Sequence, residues 1–316
     1  MKNVVVVGGG TGVFTVLTGL RRYPYNLSAI VSMSDDGGST GLLREEFGTL
    51  PPGDIRRALV ALSTTDNRIV SDLFNYRFKV KSSLSGHSLG NLLLTALEKI
   101  TGSFDQAVKE AVKILNVKGD VIPVTLKSTS LVAELENGKL ISGETNIDIP
   151  KHDGSISIKR VFLKPEVSAN PEAVKAIKNA DIVILGPGDL YTSILPNLIV
   201  KDIVEAINKT KGKVIYIVNI MTKYGETYGF KANDFVRVIQ EHLGKTVIDY
   251  VIINTEVPTG AILERYEKDK EEPVLYDREN FKNGVKVITG EFLRKGKFLR
   301  HNPQKLAKAL ALIIER

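Results

Sequence analysis

The stretch Asn3-Val4-Val5-Val6-Val7-Gly8-Gly9-Gly10-Thr11-Gly12 decides the fold of this chain. A run of valines is typical of a strand that is buried on both faces of a parallel sheet. The glycines after it allow the tight turn that joins such a strand to a helix. Residues Thr11–Arg22 then carry apolar side chains at helical spacing. The pattern predicts a strand–turn–helix unit whose helix N-terminus faces an anion.

A second strand, Leu27–Met33, runs into a second glycine-rich turn, Ser34–Gly41. Two such turns favour a nucleotide or nucleotide-sugar site, since backbone amides can approach phosphate closely there. The first turn lacks the dinucleotide fingerprint, because Val13 stands where the third glycine belongs. Asp35 and Asp36 could contact a ribose, hold Mg²⁺ through waters, or cap the turn.

The rest of the chain predicts an α/β fold with a doubly wound, mostly parallel, Rossmann-like sheet. We expect residues 1–316 to form one α/β nucleotide-binding domain. Residues 121–163 are expected to be a small β-rich lobe inserted within it, because four extended segments and an Asn137-Gly138 hairpin turn fall there. The extended segments are Val121–Leu126, Ser130–Glu136, Lys139–Ser142 and Ile156–Leu163.

Polar or glycine-rich loops follow four of the predicted strands, at residues 8–12, 34–41, 186–189 and 219–222. Parallel strands end at a common edge of the sheet, and ligands bind there in open α/β folds. The sequence therefore predicts that these loops meet around a single ligand.

Composition excludes several classes of protein. The chain has no cysteine, so disulfides and thiolate catalysis are excluded. No apolar stretch approaches the roughly 18–20 residues of a membrane span. The net charge is +7, but the basic residues are scattered, so we expect no nucleic-acid partner. Because the N-terminus enters a core strand directly, we expect no signal peptide and a cytoplasmic protein.

Gly86-His87-Ser88-Leu89-Gly90 fits the nucleophile-elbow pattern of serine hydrolases, but no buried strand precedes it. A glycine-opened helix N-terminus is the preferred interpretation, with Ser88 or Asn91 offering polar contacts.

The histidines have no metal-ligand spacing, and His152, His242 and His301 are expected at the surface.

Taken together, the motifs resemble the YvcK/CofD-like family over nearly the whole chain. The matching segments are Gly8–Gly12, Ser34–Gly41, Pro51–Arg56, Gly86-His87 with Gly90–Leu92, Gly186–Ser193 with Pro196-Asn197, and Asn219–Thr222. One branch of this family contains Mg²⁺-dependent 2-phospho-L-lactate transferases, which act on a nucleotide diphosphate donor and a deazaflavin acceptor. The other contains bacterial gluconeogenesis factors, which bind UDP-sugars such as UDP-N-acetylglucosamine.

The chain is more similar to the gluconeogenesis-factor branch. The transferases tend to carry Thr-Gly-Asp-Asp in the second loop, where this chain has Ser34-Asp35-Asp36-Gly37-Gly38. The resemblance implies that Tyr266 and Arg300 contribute to UDP-sugar binding. A tyrosine suits a base or sugar face, and an arginine suits a diphosphate.

The resulting hypothesis is a cytoplasmic nucleotide-sugar-binding regulatory protein linked to gluconeogenic growth, cell shape and cell-wall metabolism. The alternative is a Mg²⁺-dependent transferase of the 2-phospho-L-lactate type. A homodimer is left open, no catalytic residue is assigned, and Asp35 and Asp36 are the candidate Mg²⁺ ligands. The candidate ligand-binding residues are Gly9, Gly10, Thr11, Gly12, Asp35, Asp36, Gly37, Gly38, Ser39, Thr40, Asn91, Gly188, Asp189, Asn219, Tyr266 and Arg300.

Overall fold

The computed structural model describes residues 1–64, 68–79, 82–245, 247–281, 284–294 and 296–316, and ten strands in these ranges form two sheets. The strands are β1 (Lys2–Gly8), β2 (Tyr25–Val31), β3 (Asp120–Pro123), β4 (Ser130–Leu135), β5 (Leu140–Ser142), β6 (Ile158–Lys164), β7 (Ile182–Leu185), β8 (Lys213–Ile217), β9 (Tyr250–Asn254) and β10 (Lys286–Gly290).

Thirteen α-helices occur in the same part of the chain. They are α1 (Gly10–Leu20), α2 (Gly38–Phe47), α3 (Pro52–Leu62), α4 (Arg68–Asn75), α5 (Leu89–Thr101), α6 (Phe104–Ile114), α7 (Glu144–Asp148), α8 (Pro171–Lys178), α9 (Leu195–Leu198), α10 (Ile203–Lys209), α11 (Ala232–Leu243), α12 (Ala261–Lys268) and α13 (Pro303–Ile314).

The large sheet has seven strands in the order β10-β9-β8-β7-β1-β2-β3, and every neighbouring pair is parallel. The chain first moves outward from β1 to β3 and then crosses to β7 and continues on the other side. The strand order therefore reverses between β1 and β7, which is where a doubly wound sheet opens a ligand crevice. The predicted fold class is confirmed.

Strand β1 and helix α1 lie at the centre of the hydrophobic core. Val4 to Val7 are 0–2% exposed, so β1 lies covered on both faces. Helix α1 packs against α3 and α13. A Cβ atom at Gly19 of α1 would lie 2.3 Å from the Pro303 carbonyl oxygen, so only glycine allows α1 and α13 to approach this closely.

The predicted β-rich insertion is present as a three-stranded antiparallel sheet in the order β5-β4-β6. Asn137-Gly138 forms its hairpin turn, with Gly138 at a φ of +80°. Its predicted start at residue 121 is too early, because β3 pairs in parallel with β2 and belongs to the large sheet. The division of the chain into domains otherwise stays a prediction.

Several elements were not predicted. The first turn of α2 falls within the predicted glycine turn Ser34–Gly41, and α12 has no buried residue from which a periodic core face could be recognised. Strand β10 is short and only half-buried. After β7, the chain forms a π-helical turn over Leu190–Ile194, which is followed by α9 and α10.

Candidate functional site

A cavity of about 690 Å³ lies at the carboxyl edge of the large sheet, over the point where the strand order reverses. All four predicted loops contribute to its lining. The candidate residues that line it are Gly9, Gly10, Thr11, Gly12, Asp35, Gly37, Gly38, Ser39, Thr40, Asn91, Gly188, Asp189, Asn219, Tyr266 and Arg300. Residues more than 250 positions apart in the sequence are thus brought to one site.

The first loop packs so tightly that glycine is required there. A Cβ atom at Gly12 would lie 1.8 Å from the carbonyl oxygen of Pro187, in the loop after β7. A Cβ atom at Gly9 would lie 2.7 Å from Asp54 Oδ2, which accepts a hydrogen bond of 2.7 Å from the Gly10 amide. Gly9 has no side chain with which to cap α1, and Asp54 thus takes the first amide of the helix.

The second loop presents another helix N-terminus to the same cavity. Asp35 Oδ1 accepts a hydrogen bond of 2.9 Å from the Gly37 amide and thereby shapes the turn that leads into α2. Gly37 precedes α2 without a side-chain cap. Because α1 and α2 both begin at the cavity, two helix dipoles favour an anion there.

Beneath the second loop lies a buried polar network that sequence patterns did not reveal in full. Ser39 Oγ lies 3.1 Å from His87 Nδ1 and accepts a hydrogen bond of 3.2 Å from Asn91 Nδ2. Asn91 Oδ1 accepts a hydrogen bond of 3.0 Å from Arg56 Nε, and Arg56 also donates to Asn75 Oδ1. Burial lowers the pKa of Arg56 to about 10, which leaves it charged at neutral pH. This network fixes the loop that holds Ser39.

Asp36 has a different place from its neighbours and does not line the cavity. Its carboxylate accepts hydrogen bonds from the backbone amides of Glu144 at 3.1 Å and Thr145 at 2.9 Å, at the start of α7. These contacts attach the inserted lobe to the second glycine loop. Through them, Glu144, Thr145 and Asp148 of α7 form one wall of the cavity.

Lys223 joins the same wall to the loops after β7 and β8. Its ammonium group contacts the carboxylates of Asp148, Asp189 at 3.2 Å and Glu226 at 3.6 Å. Burial alone would lower the pKa of Lys223, but these three carboxylates outweigh it and raise the pKa. They form the only acidic cluster among the described residues with metal-ligand spacing, and Lys223 already supplies its positive charge.

Other carboxyl groups crowd the part of the cavity that the glycine loops line. Burial, followed by the charge of Asp35, raises the pKa of Asp54 to about 6 and that of Glu144 to about 9. A cation or a hydrogen-bonding ligand would relieve this crowding. Asp35 lines the cavity with these groups, and its carboxylate is suited to bind Mg²⁺. Each carboxylate oxygen of Asp36 instead accepts a hydrogen bond from a backbone amide.

The opposite end of the cavity is more apolar. Ile220, Met221 and Leu293 form a small buried cluster there, against which Leu263, Tyr266 and Leu299 pack. Tyr266 Oη accepts a hydrogen bond of 3.2 Å from the Leu299 amide. The Arg300 guanidinium lies 4.9 Å from the Phe298 ring centroid. The resemblance placed Tyr266 and Arg300 near a ligand, and the fold brings both to the cavity.

Sequence reasoning missed several lining residues. Arg57, Glu144, Asp148, Lys223 and His301 carry no local signal, because each reaches the cavity through a tertiary contact. The expected surface position of His301 is wrong, since its side chain is only 5% exposed. Ser88 is fully buried and caps α5 by accepting from the Asn91 amide, which agrees with a helix N-terminus and not a nucleophile elbow.

This arrangement of loops is shared with known proteins. A family model described as 2-phospho-L-lactate transferase CofD matches residues 4–293. The chain belongs to the CofD family. The gluconeogenesis factor of Bacillus subtilis is 44% identical to this CofD-family chain over 315 residues, which cover 99% of the chain and 98% of the relative. The gluconeogenesis factor of Listeria innocua is 44% identical over 314 residues, covering 98% and 95%.

A crystal structure of a Bacillus halodurans protein superimposes on this CofD-family chain with a TM-score of 0.93 at 42% identity. The match covers 98% of this chain and 99% of the other. The resemblance inferred from the motifs is therefore confirmed. In the described part of the chain, no helix has both the length and the apolar character needed to cross a membrane.

Proposed function

We propose that this protein binds a nucleotide-sugar of the UDP-N-acetylglucosamine type and acts as a cytoplasmic regulatory protein in gluconeogenic growth, cell shape and cell-wall metabolism. The observation that carries the proposal is the pair of helix N-termini, at Gly9 and Gly37, that open into one cavity. Two such termini suit the two phosphates of a nucleoside diphosphate group.

One end of the cavity is polar and the other is more apolar, as the diphosphate and the base of a nucleotide-sugar require. At one end, the glycine loops offer amide donors for a diphosphate, and the Arg57 guanidinium, which pairs with Asp54 at 3.3 Å, adjoins Gly10. At the other end, Tyr266 and the adjoining apolar cluster offer a flat surface against which a base can stack. A volume of about 690 Å³ lies within the usual range for small-molecule sites, about 300–1,000 Å³.

The physiological part of the proposal rests on the relatives. Proteins 44% identical to this chain over nearly their whole length are named gluconeogenesis factors. A binding protein whose occupancy follows the level of a sugar nucleotide could transmit that level to cell-wall synthesis. No catalytic residue is needed for this role.

Ligand-induced thermal stabilisation tests the proposal. UDP-N-acetylglucosamine at 100 times its Kd should stabilise the protein by about 2.7 kcal/mol, because it binds only the folded state. UDP and GDP serve as comparison ligands, and chromatography of the incubated mixture measures consumption. Stabilisation without consumption supports a regulatory protein, and no stabilisation by any uridine nucleotide contradicts the proposal.

The carboxylates at the phosphate end favour a second candidate, a Mg²⁺-dependent transferase of the 2-phospho-L-lactate type. Asp35, with Asp54 or Glu144, would hold the ion, which when bound offsets charge on a diphosphate leaving group. The family model carries the name of such a transferase. Nucleotide release that requires both Mg²⁺ and a deazaflavin acceptor would favour this enzyme, and release that is unchanged without the acceptor would argue against it.

A further inference from the structure

Helix α5 carries a narrow apolar stripe on its exposed side. Leu93, Ala96 and Ile100 are exposed there, at spacings of three and four residues, and Ile100 is 79% exposed. Leu94 and Thr95, which lie off this stripe, are buried. A spacing of three and four residues is the one along which two helices pack against each other. Helix α5 therefore has a second apolar face, which the described residues leave open.

Exposed apolar residues of two other helices adjoin the ends of this stripe. At its beginning, the Leu89 amide donates a hydrogen bond of 2.8 Å to the carbonyl oxygen of Tyr76, which follows α4, and Leu73 lies in the last turn of α4. At its end, the Lys99 ammonium donates a hydrogen bond of 2.8 Å to the carbonyl oxygen of Phe47, the last residue of α2. Leu73, Tyr76 and Phe47 are all exposed. The apolar surface therefore extends along the whole of α5, about 20 Å. We call these residues the α5 surface: Phe47, Leu73, Tyr76, Leu93, Ala96 and Ile100.

The size of the α5 surface suits one side of a protein interface. A large apolar residue has roughly 200 Å² of accessible area, so the large residues of this surface together expose about 500 Å². Each partner in a stable interface buries about 800 Å², and about 65% of a homodimer interface is apolar. The exposed apolar area therefore matches what one partner contributes to a homodimer.

Charged residues of opposite sign lie at the two ends of the α5 surface. Arg77 and Lys79 are exposed and follow Tyr76, at the N-terminal end of α5. Glu45 and Glu46 are exposed in the last turn of α2, at the C-terminal end of α5. A surface that is basic at one end and acidic at the other is complementary to a second copy of itself in the reverse direction.

We propose that the α5 surface is the interface of a two-fold homodimer, in which α5 packs antiparallel against α5 of a second copy and the two helices cross at Ala96. The small side chain of Ala96 lets the helices approach closely at the two-fold axis. The antiparallel direction places the basic end of each copy against the acidic end of the other. This inference goes beyond the proposed function and does not depend on it. Arg77 also lines the ligand cavity, so the interface adjoins that site.

Size-exclusion chromatography with light scattering on the full chain tests the inference. The unmodified protein should have twice the chain mass of 34.7 kDa at micromolar concentrations. Ile100→Lys places a positive charge against the basic end of the partner copy. It should raise the dissociation constant at least about 100-fold, because each dimer also loses the burial of two isoleucines. Leu312→Lys, at a 60% exposed position on α13, is the matched control and should dimerise normally.

Charge reversal tests the antiparallel arrangement, and circular dichroism verifies the fold of each variant. Glu45→Lys/Glu46→Lys and Arg77→Glu/Lys79→Glu should each dimerise more weakly than the unmodified protein, since like charges then meet at both ends. A mixture of the two should form mixed dimers, which a purification tag on one variant identifies. A single-chain mass for the unmodified protein at micromolar and higher concentrations would overturn the proposal. A dimer that Ile100→Lys leaves as stable as the control, or the absence of mixed dimers, would overturn it equally.

Discussion

The Asp36 carboxylate accepts a hydrogen bond of 2.9 Å from the backbone amide of Thr145, which lies 109 positions later in the chain. This contact, together with the one from the Glu144 amide, makes a side chain of the second glycine loop the N-terminal cap of α7. The second glycine loop, which lines the cavity, and the inserted lobe that forms one of its walls are therefore directly connected. Asp36 positions the site from outside the cavity.

Replacing Asp36 by alanine should destabilise the protein by about 1–2 kcal/mol, because two amides at the start of α7 lose their acceptor. Urea denaturation measures the change in the free energy of unfolding. Asp269→Ala, at an exposed position after α12, is the control and should stay within about 0.5 kcal/mol of the unmodified protein. An Asp36→Ala variant as stable as this control would show that the cap contributes nothing.

Replacing Lys223 by methionine should cost roughly 3 kcal/mol, because three carboxylates are left without their shared cation, and Glu226 is fully buried. The double variant Lys223→Met/Glu226→Gln should recover part of that stability, since one of the uncompensated charges is removed. Denaturant unfolding of the single and double variants measures the coupling. Strictly additive losses would contradict a shared ion cluster.

The pH dependence of stability should carry a contribution from Glu144. Burial and neighbouring carboxylates raise its pKa from 4.5 to about 9, so the folded state holds a proton that the unfolded state releases. Stability should therefore fall as the pH rises from about 4.5 to about 9. Glu144→Gln should flatten this slope and stabilise the protein at pH 8 by at least about 1 kcal/mol, since one pKa unit corresponds to about 1.36 kcal/mol.

Thermal unfolding at pH 5, 6.5 and 8 tests the Glu144 prediction. The exposed Glu267 on α12 provides the control, and Glu267→Gln should leave the slope between pH 5 and pH 8 unchanged. If Glu144→Gln has the slope of the unmodified protein, the carboxyl group of Glu144 ionises alike in the folded and unfolded states.

Tyr266→Ala should weaken binding of UDP-N-acetylglucosamine about 5-fold to 100-fold, because base stacking on an aromatic ring contributes about 1–3 kcal/mol. Tyr266→Phe should keep most of the affinity, since among the described residues the hydroxyl group accepts from the Leu299 amide alone. Calorimetric titration distinguishes the two variants. Equal losses in both would indicate that the hydroxyl, and not the ring face, contributes the binding energy.

Gly12→Ala should destabilise the protein by more than about 3 kcal/mol or prevent folding, because the new methyl group would overlap the Pro187 carbonyl oxygen at 1.8 Å. Gly296→Ala is a matched control, since no described residue other than its chain neighbours lies within 4 Å of its Cβ position. Soluble expression and denaturant midpoints report the difference. A stable Gly12→Ala protein would mean that the loops after β1 and β7 are not closely packed.

Much of the fold followed from local patterns. The valines of β1, the glycines after it and the alternation of apolar strands with amphipathic helices are each contained within a few adjacent residues. Such patterns reflect backbone sterics and the spacing of apolar side chains, both of which can be read within a short segment. The parallel sheet and the positions of the four loops could therefore be predicted. Strand β10 and helix α12 could not, because neither is buried enough to show a periodic apolar face.

The residues of the candidate site fall into the same two groups: those that local sequence patterns predict and those that they do not. Gly9 to Gly12, Asp35 and Gly37 were recognisable because a tight turn beside a strand restricts which residues can stand there. Tyr266 and Arg300 were identified by resemblance alone. Only tertiary structure turned Asp36 toward α7, placed Lys223 among three carboxylates and buried His301 in the cavity wall. Long-range packing decides burial and pairing, and no local sequence pattern contains that information.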